Sequence, residues 1–218
     1  FVETFANITP DFHYHFFVEG GTLGVENAIK AAFDWKAQKL GLDEDEVNKL
    51  DVIHLKQAFH GRSGYTLSLT NTVPNKTARF PKFEWSRVHN PKIHFPINEA
   101  EVEESEVKSI NQILTALARN TGKTAAIILE SIQGEGGDNH FRPEYFQKLR
   151  QIATEQDVML ILDEVQTGMG MTGHLWCYQH YGIIPDMIAF GKKTQVCGFC
   201  STNRIDEVES NVFHVSSR

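Results

Sequence analysis

The chain has 218 residues, 41% of them hydrophobic and 22% charged, enough to enclose the core of an ordinary globular domain. A net charge of -7 with no basic block argues against nucleic acid or anionic membrane as a main partner, and no apolar run approaches the roughly 20 residues of a membrane helix. Three cysteines, Cys177, Cys197 and Cys200, are too few for a disulfide framework and indicate a reducing, cytoplasmic setting. Phe1 and Arg218 do not read as natural ends, so a fragment of a longer protein is expected.

In chain order, ENAIKAAFDWKAQKLG (26–41) sets Ile29, Ala32, Phe33 and Leu40 near one face of a helix that Gly41 stops. VIHL (52–55) reads as a short strand, and residues 71–100, with their prolines and scattered aromatics, as a long ordered excursion. EVKSINQILTALARN (106–120) repeats Val107, Ile110, Leu114 and Leu117 at helical period. AAIILE (125–130) is an apolar strand ending in a carboxylate. PEYFQKLRQIATEQ (143–156) has Pro143 at the first helical position and turns Tyr145, Phe146, Leu149 and Ile152 inward. VMLILD (158–163) and MIAF (187–190) are further buried strands. Apolar strands alternating with amphipathic helices predict an α/β fold, a three-layer sandwich whose mostly parallel sheet is covered on both faces.

Ligands of such sheets sit beyond the carboxyl ends of the strands. That rule gives Glu130, Asp163 and the pair Lys192-Lys193 a shared address. A lysine in a partly desolvated site can act as a nucleophile, because burial disfavours its charged form. An aspartate facing it can keep a pyridinium nitrogen protonated, and the two together suit pyridoxal phosphate. Glu164 alternates away from Asp163 and is expected to be a structural acceptor. Cys197-Gly-Phe-Cys200 is a CxxC with no second CxxC or histidine pair beside it. A zinc or redox module is one reading and two free thiols near a turn is the other. His13, His15 and His54 lack ligand spacing, and no metal site is expected.

The segments GGTLGVENAIKAAFDWKA (20–37), AFHGRSGYTLSLTNT (58–72), KTARFPKFEW (76–85), ESIQGEGGDNHF (130–141), LDEVQTGMGMTG (162–173), AFGKKTQVCG (189–198) and RIDEVESNVF (204–213) resemble the class III aminotransferases, which are fold type I pyridoxal-phosphate enzymes. FHGRSGYTLSLTNT, QGEGGDNH and GKKTQVCG resemble the branch of that class that acts on L-lysine.

The resemblance implies a role for each matched position. Lys192 would carry the cofactor and move the proton. It is preferred over Lys193 because it stands six residues after Asp186, as in the family's PD…GK segment. Asp163 would hold the ring nitrogen and Gln166 the phenolic oxygen. Val165 and Phe59 would cover the two ring faces, with His60 beside them. Gly21 and Thr22 would bind the phosphate at a helix start near Val25 or Glu26, while Gly20 departs from the family's serine. A second phosphate donor, from a neighbouring subunit, would fall just past Arg218. Arg62 would clamp the substrate α-carboxylate with its planar fork. Glu135 would be a gate, paired with a distant arginine while lysine is bound and swung away for 2-oxoglutarate. Glu130 would support the cofactor site. Ser131 departs from a common proline, and Asn139 and His140 match the family with no role beyond loop hydrogen bonds.

The expected whole is a large cofactor-binding domain over 1–218, in a homodimer whose active site the neighbouring subunit completes. Its reaction would move the ε-amino group of L-lysine to 2-oxoglutarate, giving L-glutamate and 2-aminoadipate 6-semialdehyde. The alternative is another ω-aminotransferase, acting on ornithine or 4-aminobutyrate.

Overall fold

A computed structural model describes residues 1–213. One sheet carries seven strands: β1 (Tyr14–Val18), β2 (Asp51–Leu55), β3 (Arg87–Val88), β4 (Thr124–Glu130), β5 (Met159–Asp163), β6 (Met187–Phe190) and β7 (Cys197–Ser201). Their spatial order is β1-β7-β6-β5-β4-β2-β3. The block from β3 to β6 is parallel, and β7 runs antiparallel to both β6 and β1. Among the helices are α1 (Val2–Ile8), α2 (Gly21–Leu40), α3 (Glu44–Val47), α4 (Thr66–Leu69), α5 (Glu99–Arg119) and α6 (Pro143–Glu155). Among the described residues, no helix is long and apolar enough to cross a membrane.

The central strands β4, β5 and β6 are near-continuous apolar runs because both faces are covered. Along β4 the side chains alternate: Ala126 and Ile128 join a core with Val25, Ile29, Ala32 and Trp35 of α2, while Ile127 and Leu129 join one with Ile113 of α5 and Phe146 and Leu149 of α6. Each Val, Leu, Ile or Phe among them, withdrawn from water, contributes about 1.5–3 kcal/mol, and each alanine less. This is the predicted three-layer sandwich.

Several local expectations are corrected. Helix α2 begins at Gly21, not near Val25 or Glu26. The Gly-Gly-Thr-Leu-Gly run has low helix propensity, but tertiary contact overrides it. A Cβ on Gly24 would lie 2.5 Å from the Gly198 carbonyl oxygen, so this first turn rests directly on the backbone of β7. Leu40, expected inside, is exposed at the far end of α2, where Gly41 takes the left-handed conformation at φ 61°.

Helix α5 turns a rotated face inward: Leu117 is buried and Ile110 packs against the core as its period predicts, but Val107 and Leu114 do not. Val107 is 58% and Leu114 42% exposed, while Val102, Glu106, Ser109, Ile113 and Ala116 are buried. Two polar residues on that face have partners that offset their desolvation. Arg142 grips Glu106 with Nε and Nη2 at 2.9 and 2.6 Å. Ser109 donates to the His89 carbonyl at 2.7 Å and lies 2.8 Å from the Tyr145 hydroxyl. Strands β1 and β7 and helix α1 are additions to the elements expected from sequence. Cys197 and Cys200 are both free and lie on β7, Cys197 at its first position directly after the turn formed by residues 192–196. Three residues apart on a strand, they point to opposite faces and cannot jointly hold an ion or close a disulfide there.

Candidate active site

Strand register builds the site. In the parallel β4–β5 pair Glu130 stands opposite Asp163, and Asp163 stands opposite Ala189 of β6. Both carboxylates therefore reach the same edge of the sheet, and Gly191 and Lys192 follow β6 to that edge. Asp186, before β6, receives the Leu160 amide at 2.7 Å and the guanidinium groups of Arg150 and Arg204 at 2.9 and 3.0 Å, which fixes where the strand starts.

A cavity of about 220 Å³ opens at this edge. Asp163, Gln166 and Lys192 line it together with Gly21, Thr22, Phe59, His60, Val165, Glu130 and Glu135. Nine of the ten residues named from sequence for cofactor or substrate thus meet in one place. The tenth, Arg62, is exposed and outside the lining, but its charge acts on Glu135.

Asp163 is 5% exposed. Its Oδ2 accepts a hydrogen bond from His60 Nδ1 at 2.8 Å, and its Oδ1 accepts from the Val165 amide at 3.1 Å. Both oxygens keep free lone pairs for a third donor. Burial opposes a charge on His60, but the hydrogen bond and charge of Asp163, with the charge of Glu130, outweigh it and raise its pKa. The other ring nitrogen, Nε2, is buried without a hydrogen-bond partner among the described residues. His60 is thus the residue that orients Asp163.

Glu130 ties two loops together. Its Oε1 accepts from the Phe59 amide at 2.9 Å and its Oε2 from the Gly134 amide at 3.2 Å. Burial pushes its carboxyl up to about 7; His60 and the two amides oppose the rise and Asp163 adds to it.

At the opposite wall, α2 starts without a side-chain cap, with Gly20 at φ 95°. A serine there would be strained in that conformation, which accounts for the glycine. Leu23 and Gly24 donate to the Gly20 carbonyl, each at 3.1 Å. The amides of Gly21 and Thr22, in the first turn, have no intrahelical acceptor and can receive an anion.

Lys192 lines the cavity and its ammonium donates to Gln166 Oε1, whereas Lys193 donates to the Gln166 carbonyl oxygen and stays outside the lining. The geometry thus separates the two candidates. Lys192 is exposed, however, and not in the partly desolvated setting that the sequence argument expected.

Glu135 accepts from Thr72 Oγ1 at 2.8 Å and pairs with Lys76, whose ammonium also lies 5.6 Å from the Phe59 ring centre. Burial works against the charge of Glu135, but Lys76, Thr72 and Arg62 prevail and lower its pKa. Sequence reasoning missed Thr72 and Lys76, although both lie in the quoted segments. It also left Ser131 without a consequence. The Ser131 hydroxyl donates to Glu164 at 2.8 Å. Glu164 further accepts from Thr167 and from the amides of Cys177 and Tyr178 at 3.1 and 2.8 Å, the structural acceptor expected. Asn139 does make loop hydrogen bonds: it exchanges backbone bonds with Gln133 and donates to Gln133 Oε1 at 2.8 Å.

The residues fit pyridoxal phosphate. They supply helix-start amides for a phosphate, a buried acceptor for a ring N–H, an aromatic and a branched aliphatic wall, an amide and a free amine.

Comparison with known proteins agrees with this chemistry. The model of the family described as aminotransferase class-III matches residues 1–216. The chain is 54% identical to the L-lysine-epsilon aminotransferase of Amycolatopsis lactamdurans, over all of this chain and 49% of that protein. It is 35% identical to the 4-aminobutyrate aminotransferase of Emericella nidulans, over 80% of this chain and 39% of that one. The solved lysine aminotransferase from Mycobacterium tuberculosis in its internal aldimine form superposes with a TM-score of 0.92 at 51% identity, covering 99% of this chain and 50% of that one. The chain spans about half the length of the curated relatives it matches. It belongs to the class-III aminotransferase family.

Proposed function

We propose that residues 1–218 form the large cofactor-binding domain of an L-lysine 6-aminotransferase. The enzyme would move the ε-amino group of L-lysine to 2-oxoglutarate, as a homodimer whose neighbouring subunit completes each site. One observation carries the reading: Lys192, Asp163 and Gln166 converge on one cavity beside an uncapped helix start. More than half of this chain's residues are shared with enzymes named for this reaction.

Pyridoxal phosphate, when bound, supplies an electron sink for the carbon that loses a proton. The remaining tasks fall to the chain. Gly21 and Thr22 hold the phosphate with backbone N–H groups. Asp163, oriented by His60 and the Val165 amide, keeps the ring nitrogen protonated through its negative charge. Phe59 and Val165 confine the ring plane. Lys192 would hold the cofactor through its amine and would serve as the base that takes the substrate proton and returns it. Arg62 grips the α-carboxylate in a two-pronged fashion, so that the distal amine is the one presented. Glu135 offsets a second cationic position when the substrate has only one carboxylate. The second phosphate donor expected past Arg218, and the arginine expected to face Glu135, lie outside the described residues.

The test is isotopic. The complete protein is given L-lysine labelled at the ε-nitrogen, with 2-oxoglutarate. Label recovered in glutamate supports the reading, and transfer of the α-nitrogen contradicts it. A substrate panel in which ornithine or 4-aminobutyrate outperforms lysine would favour the wider ω-aminotransferase reading.

A further inference from the structure

One wall of the cavity comes from a stretch with no regular structure of its own. Residues 58–61 follow β2 and a turn, and lie outside every helix and strand. Phe59, His60 and Gly61 nevertheless line the cavity, and His60 and Gly61 are buried. A buried irregular segment must find hydrogen-bond partners beyond any helix or sheet, or its desolvated amides and carbonyls oppose the fold.

Side chains supply those partners here. Glu130, at the end of β4, accepts from the Phe59 amide at 2.9 Å. Thr70, only 1% exposed, serves the next two residues with a single oxygen. Its Oγ1 accepts from the His60 amide at 3.0 Å and donates to the Gly61 carbonyl oxygen at 2.6 Å. An amide can only donate and a carbonyl can only accept, so the one hydroxyl proton is committed to Gly61. Thr70 does for His60 and Gly61 what a neighbouring strand does inside a sheet.

Thr70 is itself held. It follows α4, and its amide donates to the Thr66 carbonyl at 3.1 Å. Beside it, the Asn71 amide donates to the Ala58 carbonyl at 2.8 Å, and Asn71 Oδ1 accepts from the Gln57 amide at 2.6 Å. Gln57 stands at φ 62°, a left-handed conformation that needs such support. The Thr70-Asn71 pair thus braces residues 57–61, with Asn71 at the end outside the cavity and Thr70 at the end that lines it.

Three features of the cavity depend on the braced end. The His60 ring donates to Asp163 Oδ2 at 2.8 Å. Phe59, one residue earlier, is the aromatic wall. Gly61, at φ 105°, rests on Thr22 in the first turn of α2, where a Cβ would lie 2.4 Å from Thr22 Oγ1. Rotation of the His60–Gly61 peptide would displace all three together.

We propose that Thr70 is a positioning residue for the cofactor site. Its hydroxyl locks the Phe59–Gly61 segment, so that the ring-facing and phosphate-facing walls are already in register when pyridoxal phosphate arrives. Thr70 is outside the cavity lining and acts only through that segment. The inference deepens the function proposed above and rests on its cofactor.

The experiment uses the complete chain, freed of cofactor, as wild type, Thr70→Val, Thr70→Ala and Thr70→Ser. The probe is pyridoxamine 5′-phosphate, which has no aldehyde to bond to Lys192 and therefore reads non-covalent contacts alone. Its Kd is measured by calorimetry, beside the urea midpoint of each cofactor-free protein. Thr70→Val keeps the shape but leaves the His60 amide and the Gly61 carbonyl without their partner, and its Kd is expected to rise about tenfold. Thr70→Ala shows a rise of the same order and serves if the valine variant does not fold. Thr70→Ser retains the hydroxyl and keeps the Kd within about twofold of wild type. A lowered midpoint with an unchanged Kd in the valine or alanine variant would mark a merely structural role and overturn the proposal. A serine variant that loses as much affinity as the valine variant would overturn it too. A wild type that does not bind the probe sinks the cofactor reading itself, whereas a wild type that binds it no better than its variants do sinks the role of Thr70 alone.

Discussion

Glu130 offers a prediction whose sign depends on pH. Its carboxyl is 5% exposed and titrates at about 7 in the folded chain, against about 4.5 in the unfolded one. Because the folded value is the higher, the native state retains a proton that the unfolded chain has already lost between those two values. Stability from this group is complete below pH 4.5, falls through the interval, and is gone above 7. At about 1.4 kcal/mol for each tenfold change in proton affinity, the ionised form costs the fold about 3 kcal/mol at pH 8. Glutamine resembles the neutral acid and never ionises. Its Nε2 cannot accept from the Phe59 or Gly134 amide, so Glu130→Gln is expected about 1–3 kcal/mol below wild type at pH 5, and the difference is expected to move in the variant's favour by about 2–3 kcal/mol by pH 8. Urea denaturation of both proteins at pH 5, 6, 7 and 8, followed by fluorescence, measures the difference. His60 is coupled to Glu130 and titrates differently in the two proteins, whereas groups away from the site titrate alike and cancel. A difference that stays flat with pH, or moves in favour of wild type as pH rises, would refute the reasoning.

Other expectations test the packing and the site. Gly24→Ala would place a methyl 2.5 Å from the Gly198 carbonyl oxygen. With backbone on both sides, α2 must move off β7 at a cost of about 1–3 kcal/mol, read as a lower denaturation midpoint; a neutral result would mean that the approach is looser. Ser131→Ala leaves the fully buried Glu164 one donor short and is expected to destabilise by about 1–3 kcal/mol; an unchanged midpoint would show that the bond contributes nothing. His60→Leu strips Asp163 Oδ2 of its protein donor. Equilibrium cofactor affinity should then fall by about tenfold or more, and affinity equal to wild type would remove His60 from the positioning role.

The parts of the fold legible in the sequence were those with uninterrupted local signals. Strands β4, β5 and β6 are continuous apolar runs, and α6 has proline at its start and a clean inward face. Legibility failed where distant contacts decide. The strand nature of Cys197–Ser201 follows from pairing with β1 and β6, not from a sequence containing a glycine and two cysteines. The inward face of α5 includes Glu106 and Ser109, whose partners Arg142 and Tyr145 are 36 residues away. At the site, Asp163 and Lys192 could be located because each ends or follows a buried strand. Thr72 and Lys76 could not, because their link to Glu135 spans 63 and 59 residues and exists only once the sheet has formed.

The central claim is that the amine of Lys192 and the acid of Asp163 serve one bound pyridoxal phosphate. Borohydride reduction of the purified complete protein, followed by peptide mass spectrometry, tests it most directly. The account predicts a reduced pyridoxyl group on Lys192, with Lys193 unmodified. Label on Lys193, or a protein that holds no pyridoxal phosphate when saturated with it, would contradict the account.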